Sequence, residues 1–293
     1  MKRLIVTGDD FGLAVPVNEA IEDAHRTGIL TAASLMVGAP AVDDAVARAR
    51  RLPSLRVGLH VVLVEGRPVS PPAAIPHLVD AAGEFDTRLF RAGVRFFFQP
   101  AVRRELAREI RAQFEAFRAT GLALDHVNAH NHMHLHPTVM DLLVEIGRDF
   151  GLAAVRVPRE PPLVTWRAAG SGLVGRVVES AFLAPWTALL RRKAARAGLA
   201  VNDHVLGLHD SGRMDELLVE RLAAGLPEGT TEMYFHAATR RCPEIDRHMP
   251  HYRHEDELRA LKSARVRAAL EAAGVERVAF SEARQGPSRT EVR

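Results

Sequence analysis

Cysteine occurs once in this chain, as Cys242, so neither an intrachain disulfide nor a multi-cysteine metal site can form. That scarcity fits a reducing cytosol. Aromatic residues make up only 5% of the 293 positions, which leaves core packing to Ala, Leu and Val. No uninterrupted apolar run reaches the roughly 20 residues of a bilayer-crossing helix. The chain is therefore expected to be soluble, or at most to lie against a membrane. No signal peptide is expected, because a strand-like segment stands where its charged and apolar regions would be. An excess of one charge is lacking too: a formal net charge of +3 makes no case for nucleic acid. Internal repeats and linker-like stretches are absent from the sequence. What remains is ordinary globular composition, 47% hydrophobic and 26% charged, enough for a sizeable core in one large domain or two small ones.

Short apolar, β-branched segments alternate with helical patterns along most of the chain. Strands are expected near residues 4–6, 35–37, 55–63, 122–127, 152–157, 204–208, 232–236 and 278–280. Helices are expected from residue 15 and over 41–51, 103–117, 138–150, 215–222 and 256–273. Such alternation predicts an α/β fold with a parallel sheet, closed or nearly closed into a (β/α) barrel. The expected organisation is one barrel domain over residues 1–285, with a helical insertion at about 159–199 and a disordered tail over 286–293.

The first strand runs into Gly8-Asp9-Asp10-Phe11-Gly12. Two adjacent carboxylates seldom stay ionised together without a cation or a shared proton. The alternative is a turn whose Asp caps the next helix. The segment from Asp125 to Pro137 holds His126, His130, His132, His134 and His136. As extended chain, His130, His132, His134 and His136 project the same way; as a helical turn, His130 and His134 share a face. Both geometries bring imidazoles together, the pattern of a metal site, whereas a polar loop would use them as caps and surface contacts. His60 ends another strand, where a hydrogen-bonded core histidine is the plainer reading. In a barrel, strand ends from distant sequence meet on one face, so Asp, His and His there can form an open metal site with one carboxylate left as a general base. His236 ends a later strand and is the best-placed group to protonate a leaving amine. His209 and Asp210 either line the pocket or belong to a turn built on Asp-Ser-Gly.

The run from Ile5 to Gly12, the Gly58-Leu59-His60 strand end and Asn128-Ala129-His130-Asn131-His132-Met133-His134 resemble the YdjC-like family of carbohydrate deacetylases. The resemblance covers most of the chain. It implies removal of N-acetyl groups from amino sugars, with one divalent metal ion, zinc or magnesium, on a (β/α) barrel. By motif position it implies Asp9 as base, Asp10, His60 and His130 as metal ligands, and His236 as acid. The chain has Asn128-Ala129-His130-Asn131-His132 where the family usually has Asp-Ser-His-His-His, and His236-Ala237-Ala238 where His-Pro-Gly is common. Both departures fall beside the assigned residues and point to the substrate pocket more than to the metal. They resemble the branch associated with hopanoid biosynthesis, which implies an N-acetylglucosaminyl hopanoid as substrate. Chito-oligosaccharide deacetylation, metal-dependent ester or phosphoester hydrolysis, and non-catalytic sugar or lipid binding on the same fold are the alternatives.

Between Arg156 and Arg196 the sequence carries eight Arg or Lys residues against Glu160 and Glu179. Leu173, Val174, Val177, Val178, Phe182, Trp186 and Leu190 recur there at helical spacing. A basic helix with aromatics on its apolar face can lie in a membrane interface, here through residues 171–198. Phe96-Phe97-Phe98 would form a second apolar lip. Packing on the barrel, or a homodimer contact with a solvated basic side, accounts for the same pattern. The location that follows is the cytoplasm, or the inner face of its membrane.

Overall fold

The computed structural model describes residues 1–283; the tail expected over 286–293 lies outside the described residues. Among the described residues, nine strands build a parallel sheet: β1 (Lys2–Phe11), β2 (Ala32–Leu35), β3 (Arg56–Val61), β4 (Val127–Ala129), β5 (Ala154–Val155), β6 (Ala200–Val201), β7 (His204–Leu206), β8 (Gly229–Phe235) and β9 (Glu276–Val278). Their order is β6-β5-β4-β3-β2-β1-β8-β7, and β9 joins the sheet beside β1. The sheet curls into a half-barrel surrounded by helices, an incomplete version of the expected TIM-like barrel. Because every named pairing is parallel, the carboxyl ends of distant strands share one rim.

The central strand β1 is buried from Leu4 onward because it has strand neighbours on both sides, a helix against one face, and Ala154 and Phe280 packed with Ile5 on the other. The helix Val15–Thr27 begins on Pro16 and lays Val17, Ala20, Ile21 and Ala24 against the sheet. Leu106, Ile110, Phe114 and Phe117 of the helix Pro100–Ala119 are buried as their spacing requires. The expected strand at 35–37 lies three residues earlier, and that at 122–127 starts only at Val127. In both cases local apolar character extended past the backbone pairing that neighbouring strands allow. The helix expected over 256–273 is two, His254–Lys262 and Ala264–Ala272, because Ser263 adopts an extended backbone and caps the second.

The insertion folds into two helices, Pro162–Ala169 and Leu173–Arg196. The second buries Arg176, Thr187, Leu190 and Ala194, with Leu190 and Ala194 packed near Met140, Val155 and Val157. Val174, Val178 and Phe182 are exposed instead, Phe182 at 71%. By length and average composition this helix is long and apolar enough to cross a membrane. Arg176 and Glu179 interrupt its apolar run, as the sequence reading expected, without raising its average polarity enough to exclude it. A further helix, Leu89–Phe98, carries the expected apolar lip, with Phe90 and Phe98 exposed and Phe96 buried.

Candidate metal centre and active site

Strand alternation should send Asp9 and Asp10 to opposite faces of the sheet. The register between β1 and β2 prevents this: Gly8 pairs with Ala33 but Phe11 with Leu35, so β1 carries one extra residue there. At that bulge Asp10 takes a left-handed backbone, φ 60°, and both carboxylates reach the carboxyl rim. They are buried, at 2% and 1% exposure. The pair lies within the strand's last residues, as the main sequence reading had it, and not in the helix-capping turn that was the alternative.

His60 is next to last in β3, opposite Asn128 of β4, and His130 follows β4 directly. Asp10 Oδ1 lies 3.3 Å from His60 Nε2 and 3.3 Å from His130 Nδ1, and the two nitrogens are 3.4 Å apart. Neither Asp10 oxygen has a hydrogen-bond partner among the described residues. A buried carboxylate left without partners is costly unless another group belongs there. The three donors fit a divalent cation: ligand bonds of about 2.0–2.1 Å in a tetrahedron place neighbouring donor atoms about 3.3–3.4 Å apart. Burial works against ionised Asp10, but His130 and His60 outweigh it and hold its pKa well below the ordinary value.

Asp9 faces a different partner. Arg156 grips it with two hydrogen bonds, Nη1 to Oδ2 at 2.6 Å and Nη2 to Oδ1 at 2.9 Å. The same guanidinium donates to Glu232 through Nε and Nη2, at 2.8 and 2.7 Å. Burial opposes charge on Asp9, yet Arg156 and His60 hold its carboxyl well below the usual carboxylate range. Two carboxylates thus leave one bulge into two environments, one facing imidazoles and the other a buried guanidinium.

His236 follows β8, whose register puts Phe235 beside Gly8, so His236 and Asp9 leave the sheet as neighbours. Its Nδ1 is 3.5 Å from Ser211 Oγ, and its backbone N–H donates to Glu257 at 2.5 Å. Asp9, His60, His130, Tyr234, His236 and Tyr252 line one cavity of about 230 Å³. A neighbouring cavity of about 320 Å³ shares His130, Glu65, His248 and Met249 with it and continues over Met36 and Val62. All five sequence-selected residues, Asp9, Asp10, His60, His130 and His236, therefore meet at one rim.

The remaining histidines do not converge as either expected geometry required. Asn131 and His132 take left-handed backbones, φ 50° and 52°, inside a short 3₁₀ segment from His130 to Leu135. That twist leaves His130 alone beside Asp10, whereas His134 Nδ1 accepts from the Ala129 N–H at 3.1 Å. His132 Nε2 meets Tyr234 Oη at 3.2 Å, and His136 packs against Phe97 with ring centres 4.0 Å apart. His209 pairs with Glu179, and Asp210 takes two hydrogen bonds from Arg176.

The profile of the YdjC-like protein family matches residues 3–272. The chain belongs to the YdjC-like family. It is 28% identical to a carbohydrate deacetylase of Thermoanaerobacter pseudethanolicus over 239 residues, 81% of this chain and 82% of that protein. It is 39% identical to a carbohydrate deacetylase of Brevibacillus brevis over 160 residues, 55% of this chain. The matches to the Brevibacillus brevis enzyme and to one from Oceanobacillus iheyensis span only 59% and 62% of those proteins. A solved structure from Enterococcus faecalis V583, proposed to cleave cellobiose-phosphate, covers 96% of this chain and is itself covered to 98%, with a TM-score of 0.74. At 21% identity that likeness speaks for the fold.

In this YdjC-like site, sequence reasoning missed Arg156, Glu232 and Asn128. It counted Arg156 among surface charges of the insertion, yet Arg156 is fully buried at the end of β5. Arg176 is also buried, and Arg191 and Lys193 pair with Asp203 and Asp141, so the basic face is smaller than the residue count implied. The available signal was a charged residue inside an apolar run: Arg156 between Val155 and Val157, and Glu232 within β8. The departure at Asn128 does not concern the outer pocket either. One end of its amide lies 2.6 Å from His60 Nδ1 and the other 3.4 Å from Asp9 Oδ1.

Proposed function

We propose that the protein removes the N-acetyl group from an amino sugar, with Asp10, His60 and His130 holding a divalent cation, zinc or magnesium. The observation that carries this reading is the bulge in β1. It gives one carboxylate to two imidazoles and leaves its neighbour ion-paired beside them, an arrangement that binding alone does not need. When bound, such a cation acts as a Lewis acid toward an amide carbonyl and makes water more acidic. Asp9 is the base that accepts a proton from the attacking water, and Arg156 fixes the direction of its two oxygens. Glu232 shares that guanidinium, so Arg156 is held from both sides and does not follow Asp9 as its charge changes. His236, at the same cavity, delivers a proton to the departing amine; Ser211 and the backbone bond to Glu257 hold it in place.

The acetylated sugar is proposed to be lipid-linked, an N-acetylglucosaminyl hopanoid being the form that the branch resemblance favours. What supports this is the inverted helix Leu173–Arg196, which buries Arg176 and Thr187 and turns Val174, Val178 and Phe182 outward. Trp186 of this helix lies near Phe97, ring centres 6.5 Å apart, joining it to the exposed Phe90 and Phe98. Leu89 of the same apolar lip lines the catalytic cavity. The buried Arg176–Asp210 pair and the packing of Leu190 and Ala194 tie this helix to the barrel, so it is read as lying on a membrane's inner face from the cytoplasm. A second copy of the chain is the competing occupant of that face.

The test is acetate release from chito-oligosaccharides and from a hopanoid-linked N-acetylglucosamine, with metals added singly. Asp9→Asn is expected to keep its metal while losing at least about a thousandfold in turnover, the upper part of the range for a general base. His130→Ala is expected to lose both metal and turnover. Wild-type turnover by Asp9→Asn would remove Asp9 from its role.

A further inference from the structure

His60 offers Nε2 to the candidate cation site, so as a ligand it must carry its proton on Nδ1. The only group that reaches Nδ1 at hydrogen-bond distance among the described residues is the Asn128 amide, 2.6 Å away. An amide has a right and a wrong end for this task. Its oxygen accepts from Nδ1–H and leaves Nε2 free for a cation; its NH₂ would demand the opposite tautomer and put the proton on Nε2. The other end of the amide feels two opposed influences. Arg156 Nη1 and Nη2 lie 3.1 and 3.0 Å from it and favour oxygen there, the wrong orientation for ligation. Ser34 Oγ, at 2.9 Å, decides between them.

Ser34 belongs to a buried chain. Asp125 Oδ2 accepts from His126 Nδ1 at 2.9 Å, which leaves His126 Nε2 to accept from the Ser34 hydroxyl at 3.1 Å. Having donated its proton to His126, Ser34 Oγ can only accept from Asn128, and so calls for NH₂ at that end. The Asn128 NH₂ then also points at Asp9 Oδ1, 3.4 Å away. The His126 ring cannot turn out of this chain, since it stacks on Phe280 at 4.6 Å and lies against Gly58 on its other side. Asp125, His126, Ser34, Asn128 and His60 are all buried, so water does not compete for these donors and acceptors.

We propose that Ser34 and Asn128 are positioning residues: the chain anchored on Asp125 orients the Asn128 amide and thereby selects the metal-binding tautomer of His60. The inference rests on the reading of Asp10, His60 and His130 as the ligand set. It makes a residue that touches none of the three ligands control their affinity.

Zinc affinity, measured by competition with a chromophoric chelator, tests it on the whole protein. Ser34→Ala is expected to weaken zinc binding about tenfold or more, the size usual for lost support behind a ligand. The double variant Ser34→Ala/Asn128→Asp is expected to recover wild-type affinity or better, because a carboxylate accepts at both ends and has no wrong orientation. A loss of packing alone would not be rescued by adding a buried charge. Wild-type affinity in Ser34→Ala, or no rescue in the double variant, overturns the proposal.

A second measurement needs no variant in the chain. Long-range ¹H–¹⁵N correlation of the metal-free wild-type protein should show His60 protonated on Nδ1, its signal assigned by loss in His60→Gln. An Nδ1 without a proton overturns the proposal even if Ser34→Ala does not fold. If instead His60→Gln binds zinc as tightly as the wild type, it is the ligand assignment that fails, and the two failures are distinguishable.

Discussion

Residue by residue, the candidate rim shows how burial forces polar groups into pairs. Arg156 is shared by Asp9 and Glu232, and Glu232 also accepts from Thr7 Oγ1 at 2.7 Å, so each charge has partners where water is excluded. Glu257 differs. It is fully buried under His236, and burial pushes its pKa from 4.5 up to about 8, although backbone N–H groups of His236 and Met214 work against the shift. A carboxyl group with a raised folded-state pKa stabilises the fold fully below its unfolded value, and that contribution is lost as pH rises through the folded value. Between pH 4.5 and about 8, stability should therefore fall with pH through this group. Glu257→Gln removes the titration, so its melting temperature should drop less between pH 5 and pH 8.5 than that of the wild type. Equal drops in both proteins would assign the pH dependence elsewhere.

Single elements place these residues through deviations from regular geometry. The extra residue in β1 brings Asp9 and Asp10 to one rim, and the left-handed turn at Asn131-His132 separates His130 from the histidines that follow. At β3 the controlling feature is an absent side chain. A Cβ at Gly58 would come within 2.5–2.6 Å of the His126 ring, which Phe280 and the bonds to Asp125 and Ser34 hold in place. Gly58→Ala is accordingly expected to destabilise the protein by about 1–3 kcal/mol, the usual cost of overpacking a closed core. Urea unfolding measures this; an unchanged midpoint would mean that the ring has room to move.

Over the whole molecule, the half-barrel sets the chemistry at one rim and the insertion adds an apolar face beside it. Phe90, Phe98, Val174, Val178 and Phe182 are too exposed to serve the core. If that face meets lipid, Trp186→Glu should abolish flotation with liposomes containing anionic lipid while leaving acetate release from a soluble sugar unchanged. Equal, negligible flotation of both proteins would remove the lipid contact. A wild-type mass twice that of the variant in light scattering would give the face to a second copy.

The sequence by itself determined the α/β architecture, because the alternation of strand and helix patterns is a local property of the chain. It also marked Asp9, Asp10, His60, His130 and His236, since strand-end polar residues stand out against apolar runs. Among the five clustered histidines, family resemblance had singled out His130, but only the tertiary structure showed why the others stand apart from Asp10, because that depends on two left-handed residues that no periodicity encodes. The partners of Arg156 and the position of Asn128 behind His60 were hidden for a related reason. Their contacts cross between strands far apart in the chain, and a hydrogen bond over such a separation leaves no pattern in the order of residues.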